Sequence, residues 1–159
     1  MIPEITAKGF IGLMLDTLDT PPYLESLSAE QYGGMKQAAV SLVHDIRAAH
    51  PDLMLIVNRG YALLPQILDC VDLVIAESLL ASPTGRNDIK LVMQQLRLLR
   101  QIRKPILSLD YWSPDDPMGI AALYAEERSL GHHPYVTTML LDRIVPEPTG
   151  VRVAAAPPA

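Results

Sequence analysis

The sequence predicts an α/β fold built from five βα units. Five short apolar runs recur along the 159 residues, and each run ends in polar residues. Segments with helical periodicity lie between the runs, and helix breakers stand at the boundaries. This alternation is typical of parallel strands that are buried on both faces and covered by helices. The predicted strands cover residues 11–15, 53–57, 73–76, 106–109 and 135–136.

Breaker residues fall where a βα repeat needs them. Pro51 precedes the second strand, Pro105 opens the fourth, and Gly131 closes the helix before the fifth. Asp116 stands directly before Pro117, which predicts an N-cap followed by the first residue of that helix. The clearest helical periodicity covers residues 35–46 and 89–99.

Five βα units in a chain of this length favour, on pattern alone, a doubly wound flavodoxin-like sheet over a barrel. Against a nucleotide-binding sheet, no glycine-rich phosphate loop follows the first strand. Residues 16–22, with the sequence DTLDTPP, offer carboxylates there instead of backbone amides. A nucleotide site is therefore not expected.

Composition excludes several classes of function. The formal charge of −5 argues against nucleic acid, because phosphates require clustered Lys and Arg, and it suits a neutral or cationic ligand. The apolar runs are shorter than the roughly 18 to 20 residues of a membrane span, so no span is predicted. The first residues lack a basic segment followed by an apolar stretch, so no export signal is expected in the chain as it stands.

The sequence predicts neither a metal site nor a cofactor. The single Cys70 cannot form an intramolecular disulfide and is expected to be a small buried residue. His132 and His133 are adjacent, so in an extended segment they point opposite ways, and no third ligand stands at the spacing of a zinc enzyme. His44 and His50 are expected at the surface of the first long helix.

Polar side chains follow four of the five predicted strands, namely Asp16, Asn58, Glu77 and Asp110. In α/β folds the carboxyl ends of the strands carry the active site, because loops converge there above a rigid sheet. The alternative is that strands simply end in polar residues where they reach solvent. Four such positions together favour a site.

Asp16 and Glu77 are the best candidates for catalysis. Each follows directly on an apolar strand, and two facing carboxylates can share glycoside hydrolysis, one ionised and the other kept protonated. Asp19, Asp115 and Asp116 lie in loops, where they are expected to shape the electrostatic field, cap a helix or face water. Asp19 is also retained as a candidate substrate contact.

Aromatic and basic side chains complete the predicted substrate-binding set. Trp112, the only tryptophan, follows Tyr111 and could stack on the apolar face of a sugar ring or simply cover the end of the fold. Arg59 could bind substrate, orient a carboxylate or form a structural ion pair. The full predicted set is Asp19, Asn58, Arg59, Asp110, Tyr111, Trp112 and Tyr135.

Several segments, in this order, resemble the endo-α-1,4-polygalactosaminidase family of glycoside hydrolases. They are GFIGLMLDT (residues 9–17), VNRG (57–60), AES (76–78) and LDY (109–111). PYVT (134–137) and LDRI (141–144) resemble the family's closing strand and the segment that follows it. Each motif alone is short, and the ordered set is more specific.

The resemblance implies a TIM-barrel fold and retaining endo-hydrolysis of α-1,4-linked galactosamine-containing polymers such as microbial exopolysaccharide. The family's nucleophile falls on Asp16 and its acid/base on Glu77. The substrate would be a polysaccharide, which is cationic when partly deacetylated and so suits the acidic rim. Localisation by resemblance would be secreted or periplasmic.

A complete barrel has eight βα units and typically about 250 residues, whereas this chain supplies five. The expected fold is therefore an incomplete (β/α)8 TIM barrel over residues 1–148, followed by an Ala/Pro-rich tail at 149–159 that is expected to fray. Open edges predict self-association, or completion by a missing N-terminal barrel segment. Two alternatives remain: a non-catalytic carbohydrate-binding or scaffolding remnant, and a different enzyme on a flavodoxin-like sheet.

Overall fold

The computed structural model describes residues 2–150, which form seven helices and seven strands. The predicted tail lies outside the described residues from position 151 onwards. In chain order the elements are α1 (Ile2–Ala7), β1 (Gly12–Leu15), α2 (Thr20–Leu27), α3 (Ala29–Tyr32), α4 (Met35–Ala49), β2 (Met54–Asn58), α5 (Leu64–Ile67), β3 (Leu73–Glu77), β4 (Ala81–Ser82), β5 (Gly85–Arg86), α6 (Ile89–Leu99), β6 (Ile106–Tyr111), α7 (Pro117–Ser129) and β7 (His133–Thr137).

Five strands form one parallel sheet in the order β1-β2-β3-β6-β7. These are the five strands that the sequence predicts, and each stands beside its neighbour in the chain. A doubly wound sheet must reverse its strand order at a switch point, so the flavodoxin-like alternative is wrong. The remaining two strands, β4 and β5, pair antiparallel as a separate short hairpin.

The chain divides into two compact units, and the boundary lies between Ile75 and Ala76 inside β3. In the first unit β1 pairs with β2 over residues 12–15 and 54–57, and β2 pairs with β3 over residues 56–58 and 73–75. Alternate residues of β2, Leu55 and Val57, are fully buried, as are Leu63 and Ile67 from the α5 region. The apolar residues of β2 therefore pack in the core of this unit, as the sequence predicts.

In the second unit β6 pairs with β7 over residues 107–111 and 133–137. Helix α7 begins at Pro117, and the Asp116 side chain accepts a hydrogen bond from the Gly119 amide at 2.9 Å. The predicted N-cap is thus confirmed. Gly131 follows the helix with φ of 83°, a conformation that glycine adopts without strain, which confirms the predicted stop.

The sequence analysis missed several short elements. Helix α1 occupies Ile2–Ala7, before the first predicted strand. Helix α2 fills the loop after β1, with prolines in its first turn, and the β4–β5 hairpin follows β3. These elements have few residues, so they carry little periodicity to read.

Apolar side chains at β1 remain uncovered in the first unit. Phe10 is 61% exposed, Ile11 76% and Met14 56%. In the described part of the chain β1 pairs with β2 on one side and has no strand on its other side. Both facts match the expectation that further βα units belong at this edge.

Candidate active site

The polar residues lie at the carboxyl ends of the sheet strands, as predicted. Asp16 directly follows β1, Asn58 and Glu77 are the last residues of β2 and β3, and Asp110 is the last but one of β6. Buried apolar residues precede each of the last three positions, so the strand backbone below them is held by packing.

The same unusual turn follows three of these strands. Thr17 after Asp16, Arg59 after Asn58 and Ser78 after Glu77 have φ of 58°, 54° and 52°. A residue with a side chain in this left-handed region costs roughly 1 to 2 kcal/mol, and such strain concentrates at functional sites. The repeated turn therefore sets this edge of the sheet apart from ordinary strand ends.

In the first unit one oxygen of the Asp16 carboxylate accepts two hydrogen bonds. Asn58 Nδ2 donates to Asp16 Oδ1 at 2.9 Å, and the Thr17 amide donates to the same oxygen at 2.7 Å. Asn58 is buried while Asp16 is exposed. The side-chain amide of Asn58, at the end of β2, thus fixes a solvent-facing carboxylate that follows the neighbouring strand.

Arg59 pairs with Asp19, with 3.1 Å between Nε and Oδ2, and both side chains are nearly half exposed. Of the three roles considered for Arg59, the structure shows the ion pair. Gly60 follows with φ of 61°, and an added Cβ would lie 3.1 Å from Leu18 Cβ, so glycine is favoured both by conformation and by space. The pair therefore sits on a tightly constrained loop.

In the second unit the Tyr111 hydroxyl donates to Glu77 Oε1 at 2.5 Å. Tyr111 ends β6 and is buried, and Glu77 ends β3 and is partly exposed. A neighbouring strand again supplies the group that orients a carboxylate. Tyr111 was predicted as a substrate contact, and the structure places its hydroxyl on Glu77.

Asp110 lies inside the second unit, with 1% of its surface exposed. Its Oδ1 accepts hydrogen bonds from the amides of Leu80 at 3.0 Å and Ala81 at 2.8 Å, and so fixes the segment that follows β3. Its contact with substrate, as predicted from the sequence, stays a prediction.

Burial raises the pKa of Asp110 to about 7, although the Ala81 amide acts in the opposite direction. The nearby Glu127 carboxylate, which is hydrogen-bonded to Asp110, raises it further. Glu127 is fully buried in α7, and its Oε2 lies 2.6 Å from Nδ1 of the buried His132. Two buried carboxyl groups thus lie close together, and a negative charge on one disfavours a negative charge on the other.

Glu127 was not predicted from the sequence. This residue continues the buried stripe of α7 one turn beyond Leu123 and Tyr124, and an acid at a position of that stripe is the feature of the sequence that indicates it. His132 is buried and His133 exposed, as expected for neighbours in an extended segment.

Trp112 covers the start of α7. Its Nε1 donates to Asp116 Oδ2 at 2.8 Å, and the Arg86 guanidinium lies 6.0 Å from the ring centroid. These hydrogen bonds from Trp112 and the Gly119 amide hold the pKa of Asp116 below its usual value. Trp112 also lines an open cleft of about 460 Å³ in the second unit, together with Ser82, Pro83, Thr84, Gly85, Tyr111, Ser113, Pro114, Thr138 and Met139.

The remaining polar positions contact the protein itself or face solvent, and substrate binding by Tyr135 stays a prediction. The Tyr135 hydroxyl accepts a hydrogen bond from the Val145 amide at 3.0 Å and so ties down the segment after β7. Asp115 is exposed in its loop, as expected.

Among the described residues, no helix is both long and apolar enough to cross a membrane.

Cys70 has neighbours that residue spacing did not reveal. Its Sγ lies 3.1 Å from His44 Nδ1 and 3.6 Å from Asp69 Oδ1. Burial raises the pKa of the thiol. Spacing in the sequence does not reveal this cluster, because α4 brings His44 to Cys70 from 26 positions away.

Comparison with known proteins agrees with this architecture. The glycoside hydrolase domain of PelA from Pseudomonas aeruginosa is 30% identical to the chain with a TM-score of 0.79. A variant of that domain with one glutamate replaced by alanine is also 30% identical, with a TM-score of 0.77. Each match covers 91% of this chain and 60% of the PelA chain. No curated protein sequence matches significantly.

The five consecutive βα units are thus the counterpart of part of the PelA TIM-barrel domain, and the chain spans 60% of that domain's length. The model of glycoside-hydrolase family GH114 matches residues 1–152. By the extent of this match and by its fold, the chain belongs to glycoside-hydrolase family GH114.

Proposed function

We propose that the chain supplies the catalytic carboxylates of a retaining endo-glycoside hydrolase that acts on α-1,4-linked galactosamine-containing polysaccharide. Asp16 is the nucleophile and Glu77 the acid/base. One observation carries this assignment: each carboxylate stands at the carboxyl end of a parallel strand and is oriented by a donor from the adjacent strand. Family membership supports glycoside hydrolysis as the reaction class.

Asp16 is arranged as a nucleophile. Its two donors both bind Oδ1, so Oδ2 is the oxygen that attacks the anomeric carbon. Attack forms a covalent glycosyl-enzyme ester and expels the leaving sugar through a transition state with oxocarbenium character. The Asn58 amide keeps the carboxylate from rotating away during that step.

Glu77 is arranged as the proton donor. The Tyr111 hydroxyl donates to Oε1 and so orients the carboxyl group that gives its proton to the glycosidic oxygen. In the second half of the reaction Glu77 takes a proton from water, whose oxygen then attacks the anomeric carbon and releases Asp16. The same carboxyl group thus acts first as an acid and then as a base.

Two features support a cationic sugar polymer as the substrate. The chain carries a net charge of −5, which favours the ammonium groups of deacetylated galactosamine. The open cleft beside Trp112 offers an aromatic face on which a pyranose ring can stack. An open cleft, unlike a closed pocket, accepts an internal stretch of a polymer, as endo-cleavage requires.

The missing share of the fold belongs to the proposal as well. A full barrel has eight βα units, and the exposed apolar side chains at β1 mark where the remaining three would pack. We place those units before β1, contributed by a preceding segment or by a partner chain. The competing function, favoured by the same open edge, is a carbohydrate-binding remnant without turnover.

Turnover and binding on one substrate separate these functions. De-N-acetylated galactosaminogalactan is incubated with the chain, and with the chain fused behind the first three βα units of the PelA domain. New reducing ends and retained anomeric configuration in the first product are expected. Asp16→Asn should abolish turnover. Glu77→Gln should lose least in the first step, formation of the glycosyl-enzyme, on substrates with good leaving groups, and should slow the second step on every substrate.

Asp115→Asn is the matched control, because Asp115 is an exposed loop carboxylate. It should leave turnover unchanged. Binding without turnover in every form would establish the remnant, and an inverted product would exclude Asp16 as a nucleophile.

A further inference from the structure

We propose that His44, Asp69 and Cys70 form a zinc-binding site in the first unit, apart from the catalytic carboxylates. Asp69 and Cys70 precede β3, whereas Asp16 and Asn58 stand at the opposite, carboxyl ends of β1 and β2. The site therefore lies at the other edge of the sheet from the proposed chemistry.

The three donor atoms are already close together. Cys70 Sγ lies 3.1 Å from His44 Nδ1 and 3.6 Å from Asp69 Oδ1, and all three atoms lie within 4.8 Å of one another. Tetrahedral zinc, with bonds of about 2.0 to 2.3 Å, separates its ligand atoms by roughly 3.3 to 3.7 Å. Small side-chain rotations suffice, because His44 and Asp69 are exposed.

A second, independent observation points to a ligand at His44. Its Nε2 is 2.9 Å from the carbonyl oxygen of Gln66, so Nε2 carries the hydrogen and Nδ1 presents its lone pair to Cys70. A histidine that binds metal almost always donates its other ring N–H to a carbonyl or carboxylate in this way. The imidazole is thus fixed in the tautomer and orientation that a metal ligand needs.

The donor set selects zinc. One thiolate, one imidazole and one carboxylate suit a borderline-soft divalent ion, and the two negative charges balance its charge of two. Arg47 donates to the Cys70 carbonyl, but its guanidinium is paired with Asp72 at 2.7 Å, which offsets its repulsion of a cation. Three protein ligands at an exposed position leave the fourth for water.

The ion would fasten two segments that are distant in sequence. His44 lies on α4, and Asp69 with Cys70 lies between α5 and β3. Binding that occurs only in the folded state stabilises it in proportion to the logarithm of metal concentration over Kd. The expected consequence is a first unit whose melting temperature rises with added zinc.

Cobalt titration of the full chain tests the site directly. With one equivalent of Co²⁺ we expect a thiolate-to-cobalt charge-transfer band and the intense visible bands of tetrahedral cobalt, both removed by Zn²⁺. Because Cys70 is the only cysteine, the charge-transfer band can come from no other thiol. Zinc should also protect this thiol from an aromatic disulfide reagent.

Three variants locate the ligands. His44→Gln and Asp69→Asn alter exposed side chains and should fold normally, while weakening cobalt binding; for His44→Gln the loss should be at least about 100-fold. Cys70→Ser should remove the charge-transfer band. His50→Gln is the matched control, since His50 ends the same helix outside the cluster.

The proposal fails if no charge-transfer band forms with Co²⁺. It also fails if binding of several ions per chain is unaffected by His44→Gln, which is the behaviour of scattered surface carboxylates. In either case the contact between Cys70 and His44 is only a hydrogen bond from thiol to imidazole. A retained band with a large loss in Asp69→Asn would support the full set of three ligands.

Discussion

Each proposed catalytic carboxylate is held by a residue that is far from it in the sequence. Tyr111 reaches Glu77 across 34 positions, and Asn58 reaches Asp16 across 42. The carboxylates could be predicted from the sequence, because apolar runs that end in acids mark the carboxyl edge of a parallel sheet. Their partners could not, since which side chain meets which depends on strand order and register.

Removal of the Tyr111 hydroxyl should slow chemistry more than it weakens binding. In the complete enzyme we expect Tyr111→Phe to lower kcat by roughly 10- to 100-fold, with little change in KM, because this hydrogen bond stabilises the negative charge that develops on Glu77 as it gives up its proton. The loss should shrink on substrates with good leaving groups, which need little acid help. Tyr124→Phe is the matched control, because that hydroxyl on α7 accepts a hydrogen bond from the Val136 amide and Tyr124 lies outside the predicted substrate-binding set. A higher KM at constant kcat would contradict this positioning role.

The buried Asp110 should make stability depend on pH near neutrality. Its pKa is raised to about 7 by burial, so the folded state holds a proton that the unfolded state releases near its ordinary pKa of 3.8. The free energy of unfolding should therefore fall as pH rises from about 4 to about 7, and level off above that range. Urea denaturation across this range measures the slope.

Asp110→Asn should flatten that slope. Asparagine keeps an oxygen for the Leu80 and Ala81 amides and offers Glu127 a permanent donor in place of the carboxyl proton. Above pH 7 the variant should be more stable than the unsubstituted chain by about 1 to 3 kcal/mol. Asp115→Asn should leave the slope intact, and a slope unchanged in Asp110→Asn would assign it to another group.

The left-handed turns are expected to lower the stability of the fold. Ser78→Gly should raise the free energy of unfolding by up to about 1 kcal/mol, because glycine adopts φ of 52° without the steric cost that serine bears. Ser41→Gly, in the ordinary helical conformation of α4, should instead lower it by about 0.5 kcal/mol. Denaturant unfolding compares the two, and a loss of stability in Ser78→Gly would show that its turn is not strained.

Among the elements, the start of α7 depends on a close approach. A Cβ on Gly119 would meet the Trp112 indole nitrogen and the Asp116 carboxylate well inside van der Waals contact. We expect Gly119→Ala to displace the indole from Asp116, which would shift the emission of the only tryptophan and weaken polysaccharide binding at the cleft. Met118→Ala, at an exposed position of the same turn, is the control. If the tryptophan emission is the same in Gly119→Ala and Met118→Ala, the indole has kept its place and α7 has moved instead.

The long elements could be predicted and the short ones could not. All five sheet strands, and helices α4, α6 and α7, carry enough residues for periodicity and breakers to be read. Helix α2 is signalled only by Pro21 and Pro22 in its first turn, and the β4–β5 hairpin has two residues in each strand. Glu127 differs from these short elements, since its place in the buried stripe of α7 could be read from the sequence, whereas its neighbours Asp110 and His132 could not.

For the whole molecule, the sheet edge at β1 predicts association. Phe10, Ile11 and Met14 are exposed beside an edge that has no strand partner in the described part of the chain. We expect the isolated chain to form oligomers in sedimentation velocity, and Ile11→Lys to shift it towards the monomer. Leu42→Lys replaces an exposed leucine on α4 and should change little. A monodisperse monomer with a sharp, cooperative melt would contradict the open-edge prediction.

Barrel and doubly wound sheets share the same βα rhythm, so periodicity alone favoured the wrong architecture. Both need buried parallel strands and covering helices, and they differ only in which strands become neighbours. Short segments such as VNRG at 57–60 distinguished the barrel from the doubly wound sheet, because their residues depend on the local turns at strand ends and not on strand periodicity. The structure shows why: Arg59 and Gly60 both occupy left-handed conformations that few sequences tolerate.

The strand order β1-β2-β3-β6-β7 also bears on how the chain is made. Every strand after the first pairs with one that the ribosome has already released, so the sheet can grow in the direction of translation. A doubly wound sheet of order 2-1-3-4-5 adds its third strand at the opposite edge from its second, so its growth changes direction. In the present order each new strand is added at the same edge, beside the sheet strand made just before it, which limits the time during which a nascent chain can pair with the wrong partner.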